Sequence, residues 1–383
     1  MVIVRLNQNL ATNWLLIYNL DDKLERETEM STTDEQLEEK VVYKALDEIL
    51  TLQTRIHGKI SDLPHVFAKL KSVAGENAAG SPIVTHHWGV SDDVGHDMDV
   101  SLPISKSIEG DGVISTTLPS EEAMTIIYKG PYAEIGTAYR LVSKHTYDRG
   151  HPIAESTREI FHYYDENHPE DTVVEIQAVL HDWTHRFSTK LETVLGPKTK
   201  AEVLSPMKNL EIDSPAAVRH EALCNALAIL EQKSNDQEQY EILSHCAHVF
   251  PVELIPPMRE LFRSTSNVDT VINAMISKGG YYPKLLRREG SIIYEEKSPA
   301  NPTAYKEAKT DAERRRAYCF CPLIRNHLDE TPKSFCNCSA GWPKQLWEGI
   351  LERPLKIQVV RSLLNGNNTC EFAIHLPDDI LIA

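Results

Sequence analysis

The chain has 383 residues, 41% of them hydrophobic, and a net charge of −16 at pH 7, which predicts a soluble globular protein of about two or three domains. The acidic balance argues against a nucleic-acid partner, because such surfaces need clustered lysine and arginine. No run of about 18 apolar residues is present, so no membrane span is expected.

Residues 1–39 are predicted to be a disordered N-terminal extension or the product of a misassigned start, since a cleaner start follows at Met30. The stretch WLLIYNL has no basic segment before it and no small-residue cleavage site, so a signal peptide is not expected. Seven cysteines, four of them in CxC pairs, do not resemble the disulfide framework of a small secreted domain. A cytoplasmic location is therefore predicted.

The segment 40–180 is predicted to contain an internal duplication. The order strand, helix, hairpin occurs once before Glu109 and once after it. The strands are predicted from alternating polar and apolar residues, and the helices from apolar residues at helical spacing. The two copies superpose with Gly58 on Gly130, Asp62 on Glu134, Leu63 on Ile135, Phe67 on Tyr139, His87 on Tyr163 and Asp99 on Glu175. Two such units predict one continuous sheet with helices behind it and a shared concave front that suits a ligand.

The hairpin of the second copy carries unusual side chains. Because side chains of a strand alternate between faces, Glu159, Phe161 and Tyr163 are predicted to share one side. A carboxylate among aromatic rings suits a hydrophobic or cationic small molecule. The alternative is a half-exposed sheet with ordinary surface glutamates.

Four motifs of this segment resemble the GyrI-like small-molecule-binding domain, which is also the effector-binding part of AraC-type and MerR-type regulators. The motifs are YKGPYAEIG at 128–136, EGDG at 109–112, REIF at 158–161 and EIQ at 175–177. The resemblance implies a central cleft that binds bulky, often cationic aromatic compounds against a buried glutamate.

That role falls on Glu175, with Glu159, Tyr128, Trp88 and Tyr163 as further ligand-binding candidates. Regulators of this family place a helix-turn-helix before the domain, and the acidic segment before residue 41 does not resemble one. Binding or sensing of a small molecule, without DNA, is therefore the leading expectation.

An enzymatic function is the alternative. Some relatives in this family resemble hydrolases of cyclopropane-bearing genotoxins, which would make Glu175 a general base and Tyr128 a positioning residue. A glutamate whose pKa is raised by an apolar cleft can activate water. Since a counter-charge and a general base need the same residue type, the sequence leaves both functions open.

Residues 181–280 are predicted to be a helical segment, because apolar residues recur at steps of three and four. His181 and His185 stand one helical turn apart and could share a metal ion, as could His245, Cys246 and His248. Two ligands alone do not close a metal site, so ordinary histidines are the simpler interpretation.

Residues 281–383 are predicted to form a Cys-bearing α+β domain. Cys319 with Cys321, and Cys336 with Cys338, form two CxC pairs whose thiols would point the same way in extended chain. Three interpretations remain open: a zinc or iron–sulfur site at the four cysteines, a redox disulfide, or small apolar residues in a core.

This region resembles the aminothiazoline-carboxylate hydrolase-like and 4-vinyl-reductase-like modules. The similarity lies in CPLIR, FCNCSAGWPKQLWEG and SLLNGNNTCEFAIHL, and it implies an α+β pocket for a small organic molecule or the hydrolysis of a small heterocycle. The motif positions are Cys321, Arg325, Cys336, Cys338 and Trp342. Trp347 is predicted to pack in the core. The natural ligand and the oligomeric state are not specified by the sequence.

Overall fold

The computed structural model describes residues 40–91, 95–165 and 167–380, so the extension predicted at 1–39 lies outside the described residues. The predicted α+β class, with a duplicated strand-helix-strand-strand domain followed by helices and a further α+β part, is confirmed. The described chain divides into an N-terminal unit, residues 40–148 with 153–180, and a C-terminal unit, residues 149–152 with 181–380.

The N-terminal unit has an eight-stranded antiparallel sheet in the order β1-β6-β8-β7-β3-β4-β2-β5. Its strands are β1 (Val42–Leu46), β2 (Ile49–Gly58), β3 (Ile83–Ser91), β4 (His96–Pro103), β5 (Ile114–Leu118), β6 (Glu121–Lys129), β7 (Ile153–Tyr163) and β8 (Val173–Leu180). Helix α1 (Leu63–Ala74) follows β2, and helix α2 (Gly136–Asp148) follows β6. Both pack their apolar sides on one sheet face.

The two halves of this sheet interlock at their edges. Strand β1 comes directly before β2 in the chain but pairs with β6 of the other half. Strand β5 comes directly before β6 but pairs with β2. Each half therefore completes the sheet of the other, which favours folding of the duplicated unit as one body.

The register of the outer strands confirms part of the predicted superposition. Arg55 pairs with Asp99 in the first half, and Ile127 pairs with Glu175 in the second half. Asp99 and Glu175 therefore occupy equivalent positions.

The superposition of His87 on Tyr163 is wrong by one residue. The pairing of β3 with β4 and of β7 with β8 makes His162 the counterpart of His87, and Glu159 the counterpart of Val84. A slip of one residue exchanges the two faces of a strand, so the difference matters for the site. Val84 and Glu159 also pair with each other, so an approximate twofold axis passes between them.

The C-terminal unit contains helices and a second antiparallel sheet, whose strand order is β11-β12-β10-β9. Its strands are β9 (Leu285–Glu289), β10 (Ile292–Glu296), β11 (Lys356–Arg361) and β12 (Glu371–His375). Its helices are α3 (Trp183–Leu204), α4 (Ala216–Lys233), α5 (Asp236–Ser244), α6 (Ile255–Thr265), α7 (Val268–Lys278), α8 (Pro302–Glu307), α9 (Asp311–Tyr318) and α10 (Asn337–Leu351).

Two apolar cores hold the C-terminal unit together. In one core, Phe250 and Met258 of the helical segment pack with Trp347 and Phe372. In the other core, Phe187 belongs to the same cluster as the cysteines from Cys319 onwards. The helical segment and the small sheet thus share cores, and the predicted core role of Trp347, with 0% exposure, is confirmed. None of the described helices has the length and apolar character that crossing a membrane requires.

A close approach between α5 and α10 depends on Gly341. A Cβ atom at that position would lie 2.0 Å from the backbone oxygen of Ser244 and 2.6 Å from the Cβ of Ala247. Because the nearest atom belongs to the backbone, a side-chain rotation does not relieve the clash.

We expect Gly341→Ala to destabilise the C-terminal unit by about 3 kcal/mol or more, since the two helices must move apart. Thermal unfolding followed by circular dichroism measures the effect. Ser339→Ala, a small change two residues away on α10, is the control and should unfold close to wild type. Equal midpoints for the two variants would contradict the packing described.

Candidate functional site

A fully buried carboxylate lies beside the approximate twofold axis, on the face of the sheet that the helices cover. Glu159 has 0% exposure. The Tyr132 hydroxyl donates to its Oε2 at 2.8 Å, and the Tyr139 hydroxyl donates to its Oε1 at 2.6 Å. His86 Nε2 lies 3.2 Å from Oε2. Burial alone would raise the pKa of Glu159, but His86 and the two hydroxyls together lower it, so the group is ionised at neutral pH.

Aromatic rings surround this carboxylate. The ring of Phe161 lies 5.2 Å from that of Phe67, 5.8 Å from that of Tyr132 and 5.7 Å from that of Tyr164, between centroids. The hairpin pattern predicted a carboxylate among rings, and Glu159 is the glutamate that has this environment. We call Glu159, Tyr132, Tyr139, Phe161 and Tyr164 the Glu159 cluster.

The two tyrosines that bind Glu159 were missed in the sequence. Tyr132 begins the short 3-10 turn Tyr132–Glu134, and Tyr139 lies in the first turn of α2. Two tyrosines near the start of the predicted helix, just before the hairpin, were the available signal. Burial, and then the charge of Glu159, raise the pKa of both hydroxyls well above the ordinary value, so both stay protonated as donors.

A second imidazole extends the polar contacts. His86 Nδ1 lies 3.0 Å from His96 Nε2, and the two rings stack at 5.3 Å. Burial, followed by the neighbouring His86, lowers the pKa of His96 to about 4. His96 is therefore neutral at pH 7, and the contacts of Glu159 continue through His86 to His96 on β4.

Glu175 lies on the opposite face of the sheet, in a different environment. It is 4% exposed and accepts hydrogen bonds from Lys44 Nζ and Gln177 Nε2, both at 2.9 Å. His162 Nε2 lies 3.6 Å away. Burial would raise its pKa, but the hydrogen bonds from Gln177 and Lys44 and the charge of Lys44 leave the pKa lowered. A general base at this position would need a raised pKa, and the contacts of Glu175 act in the opposite direction.

The same face repeats this arrangement in the first half. Asp99, the counterpart of Glu175, lies 2.7 Å from His87 Nε2 and 4.0 Å from Arg55 Nε. Arg158, buried on this face, pairs with Glu121. The carboxylates of this face therefore have cationic partners from the chain itself.

Two other predicted lining residues, Tyr128 and Tyr163, have hydrogen-bond partners other than the two glutamates. The Tyr128 hydroxyl donates to the backbone oxygen of Pro131 at 2.8 Å. Tyr163 is 48% exposed and its hydroxyl contacts Asp165 at 3.4 Å. The side chain of Trp88 lies outside the described residues.

The six cysteines of the second core are buried or half-buried free thiols. Burial raises the pKa of Cys319 and Cys338 to about 11 and that of Cys336 to about 12, and it raises the pKa of Cys321 well above the ordinary value. Among the described residues, no three thiols come within 4.8 Å of one another. This geometry resembles core packing, and the zinc or iron–sulfur interpretation stays a prediction.

His181, of the first predicted histidine group, contacts the second group. Its Nε2 lies 3.1 Å from the backbone oxygen of Cys246, and its ring stacks on His248 at 4.2 Å between centroids.

A buried acid in the C-terminal unit was not predicted. Glu295 of β10 is 3% exposed. Burial raises its pKa to about 7, although Lys297 and Trp347 oppose the shift. The folded protein therefore holds a proton on this group at pH values where the unfolded chain has released it.

Comparison with known proteins gives matches among solved structures only: no protein-family model and no curated protein matches this chain. The EcmrR C-terminal domain is 17% identical with a TM-score of 0.33, over 37% of this chain and 96% of that one. EcmrR in complex with DNA is 16% identical with a TM-score of 0.35, over 44% of this chain and 65% of that one.

Two further solved structures resemble parts of the chain. A hydrolase from Listeria innocua is 10% identical with a TM-score of 0.27, over 42% of this chain and 98% of that one. SAV2435 bound to tetraphenylphosphonium is 10% identical with a TM-score of 0.26, over 38% of this chain and 96% of that one. These values are low, so residue roles are argued from the contacts of this chain alone.

We expect Tyr139→Phe to lower the free energy of unfolding of the N-terminal unit by about 2 kcal/mol, because a hydrogen bond to a buried charged group is lost. Denaturant titration at pH 7 measures the change. Tyr43→Phe is the matched control, since its hydroxyl donates to an exposed carboxylate, Glu122, at 2.8 Å, and its loss should cost little. Equal effects of the two variants would argue against an ionised Glu159.

We expect Glu295→Gln to stabilise the protein more at pH 8 than at pH 4.5. In wild type, a folded-state pKa of about 7 means that stability falls as pH rises from the ordinary pKa through 7, by about 3 kcal/mol in total. Thermal midpoints of both proteins across this window test the sign. Glu289→Gln, which removes an exposed carboxylate, should show no comparable pH dependence; a variant advantage that shrinks with rising pH would contradict the assignment.

Proposed function

We propose that the N-terminal unit binds bulky aromatic cations with Glu159 as the counter-charge, and that the protein thereby sequesters or senses such small molecules. One observation carries this proposal. A carboxylate with 0% exposure accepts hydrogen bonds from two tyrosine hydroxyls and lies 3.2 Å from an imidazole, beside a cluster of aromatic rings.

The chemistry of the Glu159 cluster favours a cation over other ligands. An ionised carboxylate removed from water is costly unless it is well solvated by the protein or paired with a positive charge. Ring faces such as those of Phe161 and Tyr164 attract cations and add apolar contact area. An aromatic cation supplies both interactions with one molecule.

Glu159 fits this role better than Glu175. Glu175 already has the ammonium of Lys44 at 2.9 Å, so an external cation has to compete with a covalently tethered one. Glu159 accepts hydrogen bonds from two neutral tyrosine hydroxyls, which a ligand can replace with a full positive charge, and the imidazole of His86 lies 3.2 Å away.

Access to Glu159 requires movement of aromatic side chains. The rings of Tyr132, Phe161 and Tyr164 fill the space around the carboxylate in the structure. Tyr132 and Tyr164 are half-buried, whereas Phe161 is buried. We infer that Tyr132 and Tyr164 swing outward when a ligand binds, and that the hydrogen bond from Tyr132 is exchanged for contact with the cation.

The pKa values favour binding over hydrolysis in this unit. A general base must take a proton near neutral pH, which needs a carboxylate whose pKa is raised. Both Glu159 and Glu175 have a lowered pKa. Each is better suited to hold a positive charge than to activate water.

Titration of the full chain with tetraphenylphosphonium, followed by calorimetry, tests the proposal. We expect saturable binding to wild type, and binding at least about tenfold weaker to Glu159→Gln, because the counter-charge is lost while the shape is kept. Glu175→Gln is the matched control and should bind like wild type. No binding to wild type, or weaker binding only to Glu175→Gln, would refute the assignment.

A neutral ligand of similar shape separates charge from packing. Triphenylphosphine oxide offers three phenyl rings on phosphorus without the positive charge. We expect it to bind wild type and Glu159→Gln with equal affinity. A loss of affinity for this neutral ligand in Glu159→Gln would show that the substitution disturbs the ring cluster itself.

A further inference from the structure

A group of metal-ligand side chains lies in the C-terminal unit, apart from the CxC pairs. His220 is on α4, and His327 and Glu330 are on the chain that follows Ile324. Their ligand atoms all lie within 4.8 Å of one another. His327 Nδ1 is 3.4 Å from Glu330 Oε2.

A fourth donor stands next to this group. Cys224 lies one helical turn after His220 on α4, outside the group of three, and its Sγ is 4.0 Å from His220 Nδ1. The His220 and His327 rings stack with centroids 4.2 Å apart and planes inclined by 16°. Two nitrogens, one sulfur and one carboxylate are thus presented by two pairs, each spaced by about one helical turn.

Thr331 fixes the orientation of the His220 ring through a hydrogen bond to one of its nitrogens. The Thr331 hydroxyl donates to the backbone oxygen of His327 at 2.8 Å, so its oxygen is an acceptor for His220 Nε2 at 2.9 Å. The proton of His220 is therefore placed on Nε2, and Nδ1 keeps its lone pair. Histidines that bind metals commonly donate their second ring N–H in this way.

The group is accessible from solvent. His220 and His327 line a small surface cleft together with Arg219, Pro322 and Asn326. The side chain of His220 is buried, whereas that of Glu330 is 72% exposed. An ion can therefore reach the buried nitrogen through the cleft, with the carboxylate at its outer edge.

We propose that His220, His327 and Glu330 bind one divalent transition-metal ion of the zinc class, with Cys224 as the fourth ligand. Imidazole and thiolate donors select such ions, whereas calcium and magnesium prefer oxygen ligands. Four protein ligands are the number that a structural zinc site uses, and Cys224 would complete that number. The ion joins α4 to the segment that follows Cys321 and stabilises the C-terminal unit.

Titration of the chelator-treated full chain with cobalt(II), a spectroscopic substitute for zinc, tests the site. We expect about one ion per chain, visible d–d bands of a four-coordinate complex, and a near-ultraviolet sulfur-to-cobalt charge-transfer band. Zinc should displace the cobalt and raise the thermal midpoint.

Three variants identify the ligands. His327→Ala and Glu330→Gln should each weaken cobalt binding at least about tenfold. Cys224→Ser should abolish the charge-transfer band. Far-ultraviolet circular dichroism checks folding, and Glu330→Gln, at an exposed side chain, keeps the test valid if a buried substitution disturbs the fold.

The Cys336→Ser, Cys338→Ser double variant is the control for the CxC pairs, and its cobalt spectrum should match that of wild type. The proposal is overturned if wild type binds no cobalt, if His327→Ala binds it unchanged, or if the double variant loses it.

Discussion

The N-terminal unit depends on stabilising one negative charge in its interior. Glu159 is inaccessible to water, and an ionised carboxylate in such a place needs several hydrogen bonds. Helix α2 and the turn before it supply two hydroxyls, and β3 supplies an imidazole. These contacts join the helix of one half to the strands of both halves. Folding therefore brings the donors to Glu159, and the contacts with Glu159 in turn connect the two halves.

The duplication explains why one carboxylate, and not two, lies at the approximate twofold axis. Glu159 pairs across the approximate twofold axis with its own counterpart, which is Val84. Two carboxylates in these positions would repel each other at short distance. The two halves keep the same strands and helices but differ at the axis, where one half contributes the charge and the other an apolar neighbour. Such a difference makes the centre of the sheet suitable for a monocation.

Much of the architecture could be predicted from local sequence patterns, and much of the site could not. Alternation and helical spacing were enough for the repeated strand-helix-strand-strand order and for the helices after residue 181. The error at His87 arose where β3 and β7 have register irregularities, which an alignment without coordinates does not detect. Glu175 matched a motif, but its partner Lys44 is distant in sequence, and this contact changes its chemistry. Likewise, His220 and His327 meet only through the packing of the C-terminal unit.

The central claim is that Glu159, at the axis of the duplicated sheet, is the counter-charge for an aromatic cation. A crystal structure of the full chain with bound tetraphenylphosphonium tests it most directly. The account predicts phenyl rings packed on Phe161, the phosphonium beside the Glu159 carboxylate, and Tyr132 moved away from its place in the present structure. A cation bound against Glu175 on the opposite face, with the hydroxyls of Tyr132 and Tyr139 still on Glu159, would contradict it.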